Sequence, residues 1–371
     1  MRVLFVVSWY TAYDAEKLAA GVFHYEQAMA LKKYCDTALF YPFDPSIPTD
    51  FHRAEERGLL TWRSRWTPGE RLKNRMRAYR AFARVLREFK PDVIHAHVAS
   101  SAGCLAVEMG KLYGIPVVIT EHNAIELMGL ESKKTYLRNR FAYHNSRENI
   151  CVSEDSRSRL QALFPKERFR VIYNGIQNPA DVPADGKQYA REGFINCCIV
   201  AAFYDKQIKG YQYLLPALQR LVREGLPILL HIVGGGTYLD DYQKLARELG
   251  IAESCVFYGQ CDRVQVYSIL RQMDFSISAS ILECSGVSVQ EAMLLGKPLV
   301  VTKSGGANSL VSEETAIVVE RESVEALADG MREMIAQRGR FDPERIAAYA
   351  YPRFEIDQVS RQYMELYRTM L

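Results

Sequence analysis

At 371 residues the chain can form two domains, each burying its own core, on the usual scale of about 150 residues per domain. Hydrophobic residues make up 48% and charged residues 25%, which excludes a disordered or fibrous chain, and a net charge of +3 is too small to mark a nucleic-acid binder. Eight cysteines lie scattered without a Cys-x-x-Cys pair, so neither a disulfide framework nor a zinc ribbon is indicated, and no apolar run has the length of a bilayer span.

The chain opens on Val3–Val7, an apolar run suited to a buried strand and too short for a signal peptide. A loop holding Ala20 and Gly21 follows, then a helical pattern from about Tyr25 to Lys33. Glycine at such a corner permits backbone amides to face an anion, and it also serves as a plain turn. The spacing of Leu72, Met76, Tyr79, Phe82, Leu86 and Phe89 predicts a helix over Arg71 to Phe89. Residues 62–90 hold ten Lys or Arg against two Glu, and Trp62 and Trp66 lead into the helix. A basic face with tryptophan suits an anionic headgroup layer, so one expectation is peripheral contact with an anionic membrane through residues 62–90. The other is a core-packing helix with a solvated basic back.

Pro91–His97 reads as a strand, Ala102 to Tyr113 as a helix, and Pro116–Thr120 as a strand ending at Glu121-His122-Asn123. This βαβ alternation implies a parallel sheet. His95 and His97 are read as facing opposite sides of their strand, which argues against a shared metal ion. His122 caps the next strand at the sheet's carboxyl edge, as a ligand-facing or a hydrogen-bonded buried imidazole. Strand-turn units at Ile150–Asp155 and Val171–Ile176 complete this half, and residues 178–193, without apolar period, read as a linker.

Cys197–Ala202 restarts a buried strand, and Lys209-Gly210 opens a helix. A lysine at a helix N-terminus opposes the dipole unless an anion sits there too. His231–Val233 runs into Gly234-Gly235-Gly236, and Val256–Gly259 continues the strand pattern. Phe275 to Ile281 reads as a strand ending at Glu283, followed by the turn Cys284-Ser285-Gly286. Ser288 then looks like an N-cap with Glu291 three residues on, a capping box. Gly296 and Pro298 stop that helix before strand Leu299–Val301, and Thr302–Gly306 suits a phosphate nest. In an open α/β sheet, ligands bind outside the carboxyl ends of the strands, and carboxylates there can hold sugar hydroxyls. Asp-x-Asp does not occur, so a metal clamp on a diphosphate is unsupported. Val359, Tyr363, Leu366, Tyr367 and Met370 form a last helical stripe.

Glu283, seven further residues, then Glu291 and Ala292-Met293-Leu294-Leu295-Gly296-Lys297-Pro298 resemble the signature of retaining nucleotide-sugar glycosyltransferases of glycosyltransferase family 4. The resemblance spans nearly the whole chain and is densest from Leu229 to Val319. It implies the GT-B fold: α/β, with two Rossmann-like doubly wound parallel-sheet domains facing a central cleft. Residues 1–177 would form the acceptor-side domain, 178–193 the linker, 194–345 the nucleotide-sugar-binding domain, and 346–371 a C-terminal helix crossing back. The implied reaction moves a sugar from a UDP- or GDP-linked donor to a hydroxyl of a glycan or lipid-linked acceptor with retained configuration, as in surface polysaccharide synthesis.

By the same resemblance His122, Lys209 and Glu283 form the catalytic set, Lys209 stabilising the leaving diphosphate while Glu283 and His122 orient the sugar. Gly21, Gly234, Gly236, Gly286, Val287, Ser288 and Glu291 form the nucleotide-sugar-binding set, with Glu291 on the ribose. No metal or other cofactor and no nucleic-acid partner is expected, and the expected location is cytoplasmic, peripheral on the inner face of the membrane. Two positions depart from the family pattern: Ala202 stands where an Arg is usual, with Lys206 as candidate substitute, and Ser309 stands where an acid is usual. The missing Arg keeps open a non-catalytic nucleotide-sugar-binding subunit, and a GT-B sugar epimerase is a further alternative. A dinucleotide-dependent oxidoreductase is opposed by the lack of Gly-x-Gly-x-x-Gly with an acid about 20 residues on.

Overall fold

The short apolar runs of the first half pair side by side, their crossovers filled by helices. In the computed structural model, which describes residues 1–10 and 22–371, β1 (Arg2–Val6), β2 (Asp36–Asp44), β3 (Phe51–Glu56), β4 (Leu59–Arg65), β5 (Val93–His97), β6 (Val117–Glu121), β7 (Glu148–Cys151) and β8 (Arg170–Val171) make one sheet. Its order is β3-β4-β2-β1-β5-β6-β7-β8, parallel except where β3 meets β4. Side chains alternate between the two faces of a strand, so β1 serves two cores. Leu4 and Val6 pack with Phe82, Val85 and Leu86 of helix Arg71–Phe89 on one side. Val3 and Phe5 pack on the other with Ala28 and Leu31 of helix Val22–Leu31 and with Val359, Tyr363 and Tyr367 of helix Ile356–Arg368.

The second sheet is β9 (Ile195–Val200), β10 (Ile228–Val233), β11 (Cys255–Gly259), β12 (Phe275–Ser278), β13 (Leu299–Thr302) and β14 (Ala316–Val319). The order β11-β10-β9-β12-β13-β14 is doubly wound, with its switch point between β9 and β12. All its pairings are parallel.

The chain divides into two units, Met1–Gly175 with Ile356–Leu371, and Ile176–Glu355. Residues 178–193, expected as a linker, are tied into the second unit. Asn178 caps the turn Pro179–Asp181, and the amides of Tyr189 and Ala190 both donate to Gln272 Oε1, at 2.8 and 3.2 Å. The segment expected as one crossing helix, 346–371, is two. Extended backbone at Glu355 separates helix Pro343–Phe354 of the second unit from helix Ile356–Arg368 of the first.

Helix Arg71–Phe89 forms as the spacing predicts, but residues 62–90 are not one basic surface. Trp62 and Arg63 lie in β4, which the sequence pattern did not reveal. Trp62 is buried and donates from Nε1 to Glu88 at 3.0 Å, and Arg63 is buried between Asp44 and Glu56, at 2.7 Å from each. The apolar stripe of the helix divides as well: Phe82 and Leu86 are buried, whereas Leu72 is 73% and Met76 45% exposed. Ala78, Ala81 and Val85 take the sheet-facing positions instead. Among the described residues, no helix is long and apolar enough to cross a membrane.

Candidate functional site

Two loops flank the switch point of the second sheet, one after β9 and one after β12. The first carries Lys209 and the second Glu283, and Lys209 Nζ lies 2.5 Å from Glu283 Oε1. Their meeting depends on Gly210, which caps helix Tyr211–Arg223 at φ +71° and whose missing Cβ would stand 1.9 Å from the Ala279 carbonyl oxygen. The amide of Ile281 donates to the Ile208 carbonyl at 2.7 Å, locking the loops together. Ser280 Oγ also donates to Glu283 Oε1, at 2.9 Å, and the backbone of Glu283 is held by Ser304 and Gly306. Lys209 and Glu283 keep 28% and 18% of their side-chain surface exposed, enough for both to reach a ligand. Lys206, the candidate substitute for the missing Arg, points elsewhere, its Nζ 3.5 Å from Asp241.

Glu291 corrects the capping-box expectation. The helix is Val287–Leu294 and its N-cap is Gly286, at φ +98°, so Ser288 is already inside and Glu291 is past the first turn. The carboxylate is buried and accepts from Tyr267 at 3.2 Å. Gly286, Val287 and Ser288 form the helix start, where backbone N–H groups suit an anion. Gly234 and Gly236, at φ +150° and +144°, press on the loop after β9: a Cβ on either would lie within 2.1 Å of Ala201 O or 2.5 Å of the Phe203 carbonyl carbon. Their close backbone approach is therefore spent at least partly on protein. The phosphate nest expected at Thr302–Gly306 is not free, because the Gly305 amide donates to Asn308 at 2.8 Å and the Gly306 amide to Glu283 at 2.8 Å.

In the first unit, His122 lies one residue past β6 beside three further imidazoles. His95 and His97 share one face of β5, their rings stacked at 4.4 Å, because residues two apart on a strand point the same way. The expectation of opposite faces is thus corrected. His95 is fully engaged, by Thr120 Oγ1 at 2.7 Å and by Tyr367 at 2.6 Å. His97 Nδ1 lies 2.9 Å from His122 Nε2, and His24 from helix Val22–Leu31 packs edge-on against His97 at 4.4 Å. Burial holds His122 down to about 3, so its ring is neutral near pH 7. Glu121 sets the loop: it accepts from the amides of Ala99, His122 and Asn123 and from Tyr143, at 2.8–3.1 Å. Burial raises its carboxyl above the usual range. Sequence reasoning did not single out His24 or Glu121, and it set His97 aside by placing it on the face opposite His95; the two-residue spacing of that pair was the available signal. Gly21 lies outside the described residues.

A cavity of about 1100 Å³ opens in the first unit, lined by ends of the strand-following loops and by helix Arg71–Phe89. Trp66, Tyr79 and Phe141 give it apolar walls, and Arg75, Lys133 and Lys134 give it positive charge.

Comparison with known proteins agrees with this architecture. Glycosyltransferase Family 4 matches residues 21–178, and Glycosyl transferases group 1 matches residues 188–353. Alpha-monoglucosyldiacylglycerol synthase of Streptococcus pneumoniae is 27% identical over 267 residues, 65% of this chain and 59% of that protein. GDP-mannose-dependent alpha-(1-6)-phosphatidylinositol monomannoside mannosyltransferase of Mycobacterium tuberculosis is 32% identical over 141 residues, 36% of each chain. The structure of Anabaena Alr3699/HepE in complex with UDP superposes with a TM-score of 0.77 at 18% identity, covering 100% of both chains. Consecutive family matches across both units, and a shared fold over the full length, lead to one conclusion: the chain belongs to glycosyltransferase family 4 and has the GT-B fold.

Proposed function

We propose that this glycosyltransferase transfers a hexose from a UDP- or GDP-sugar to a hydroxyl of a lipid-linked or glycan acceptor, with retention and without a metal clamp on the diphosphate. The observation that carries the reading is the Lys209–Glu283 pair at the switch point of the second sheet, where α/β folds bind nucleotides. Cleavage of a sugar–phosphate bond puts negative charge on the diphosphate, and a preorganised cation aimed at that charge lowers the barrier. Donor binding draws Lys209 to the phosphates and releases Glu283 to accept from the sugar hydroxyls. Glu291 accepts from the ribose, and amides at the start of helix Val287–Leu294 add to phosphate binding. His122 contributes the sugar contact that the family resemblance gives it. The acceptor hydroxyl attacks on the leaving-group face, and its proton passes to a phosphate oxygen.

The UDP complex of the Anabaena neighbour and the GDP-mannose dependence of the mycobacterial relative support a nucleoside-diphosphate donor. The streptococcal relative is named for a glucosyl lipid, and the first unit's cavity has apolar walls with a basic rim, so an amphiphilic acceptor bearing anionic groups fits both. Exposed Leu72 and Met76 among arginines of the same helix supply peripheral contact with an anionic bilayer. Flotation with anionic against neutral liposomes tests this contact, and equal recovery would sink it. A role in surface polysaccharide synthesis on the cytoplasmic side follows from the same reading.

The deciding experiment is calorimetric titration with UDP, GDP, ADP and NAD⁺ in EDTA, followed by initial rates with the matching sugars. One nucleoside diphosphate should bind. Binding of NAD⁺ alone would overturn the reading in favour of an oxidoreductase, and donor binding without any transfer would leave a nucleotide-sugar-binding subunit. Glu291→Ala should weaken nucleotide binding roughly tenfold, the scale of one charge-assisted hydrogen bond. Glu283→Ala should chiefly lower turnover, and unchanged values for both variants would overturn the site assignment.

A further inference from the structure

We propose that His24, His97 and His122 form a binding site for a zinc-class divalent cation, three imidazoles from separate elements with a fourth position left for water or an anion. The site goes beyond the transfer reaction, and nothing in its test depends on the role proposed for His122.

Three observations converge. First, the ligand atoms of these rings all lie within 4.8 Å of one another, the only such group of three or more among the described residues. Tetrahedral zinc, about 2.0–2.1 Å from each nitrogen, spaces its ligands by about 3.3 Å. The closest nitrogens here, on His97 and His122, are 2.9 Å apart, so opening that pair by a few tenths of an ångström while His24 closes in satisfies the geometry. Secondly, His24 and His97 are fully buried, and both ring nitrogens of His24 and Nε2 of His97 have no hydrogen-bond partner among the described residues. Buried polar atoms are almost always paired, and a cation held between the three rings would take the lone pair of one otherwise unpartnered His24 nitrogen. Thirdly, the surroundings orient the rings as an outer shell does. His122 is hydrogen-bonded to the side chain of Asn174, and its amide is pinned by Glu121. His97 stacks on His95, itself fixed between Thr120 and Tyr367.

The chemistry of the donor set selects the ion. Three neutral imidazoles without a carboxylate favour zinc, copper or nickel over magnesium or calcium, which demand oxygen. Three histidines with one open position is an arrangement that holds zinc elsewhere in protein chemistry.

The test uses the full chain stripped with EDTA and desalted, titrated with Co²⁺ and followed by its visible d–d absorption. One equivalent should bind with a low-symmetry, four- or five-coordinate spectrum and be displaced by one equivalent of Zn²⁺. His24→Phe, which keeps the ring packing and removes a ligand, should weaken binding by at least about 10–100-fold, the loss seen on removing even an outer-shell partner. His144→Ala, at a surface imidazole, should bind as the parent does. Absence of a stoichiometric Co²⁺ complex in the parent chain would overturn the proposal, as would unchanged binding in a His24→Phe protein with a native circular dichroism spectrum. Should His24→Phe fail to fold, X-ray absorption on the zinc-loaded parent decides, since fewer than three imidazole ligands would refute the site.

Discussion

The carboxyl edges of the parallel strands in the two sheets hold opposite chemistry. In the second unit the loops after β9 and β12 bring together a lysine and a glutamate that remain partly hydrated. In the first unit the ends of β5 and β6 bring the buried His95 and His97 together with the partly buried His122, and the rings are neutral. The first arrangement can answer a change of charge, because Lys209 exchanges one anionic partner for another at little cost. The second offers the lone pairs and N–H groups of neutral rings, so it suits neutral hydroxyls or a metal that takes lone pairs. Parallel sheets supply the address, and the polarity of the loops decides what can be bound there.

Removing the charge from the hydrated edge should have the largest effect. Lys209→Ala is expected to lower kcat about 10²–10³-fold, the scale measured when one preorganised donor to a developing anion is lost, and Lys209→Arg should recover part of it. Initial rates at saturating donor would expose the claim, and a variant as fast as the parent would erase the contrast between the edges. Next is the glycine that lets the two loops meet. Gly210→Ala combines a left-handed φ with a backbone contact at 1.9 Å, so it should cost on the order of 2–4 kcal/mol in stability and lower turnover by displacing Glu283 from Lys209. Denaturant unfolding with parallel rate measurements reads both, and an unaffected midpoint would mean that the loops are not tightly held.

A smaller effect is expected at the neutral edge. Micromolar Zn²⁺ should slow transfer by taking the His122 ring, and His24→Phe should raise the inhibitory concentration by about 10–100-fold. Equal inhibition of parent and variant would place the inhibitory ion elsewhere. The smallest change concerns the acceptor cavity: Lys133→Ala with Lys134→Ala should raise KM for an anionic acceptor a few-fold, with the donor KM unchanged, since each exposed charge contributes about 0.2–1 kcal/mol. The effect should fade in high salt, and a shift in donor KM instead would count against the assignment.

Much of the architecture was legible because it is written in short-range patterns. Short apolar runs, continuous in β1, β6, β9 and β10 and alternating in β12, marked the buried strands, and a helical period marked Arg71–Phe89. The Glu283-to-Pro298 motif stood out because strand end, glycine turn and helix follow within a few residues. Other features were hidden. Strands β3 and β4 lie where charged residues interrupt the apolar signal, so Arg63 read as surface although Asp44 and Glu56 neutralise it inside. Ser288 and Glu291 matched a capping box in spacing, yet Gly286, at a positive φ, starts the helix two residues earlier and turns Glu291 toward Tyr267.

By itself the sequence determined the family, the two parallel-sheet units and the glycines at tight turns, since these rest on local conformational preference and on a contiguous motif. Only the tertiary structure decided that Lys209 would meet Glu283, 74 residues away, and that His24, His97 and His122 would converge. Parallel strands are joined by long crossovers, so residues that share a sheet edge are remote in the chain. Which of them touch is settled by strand order and register, and no short window of sequence contains either.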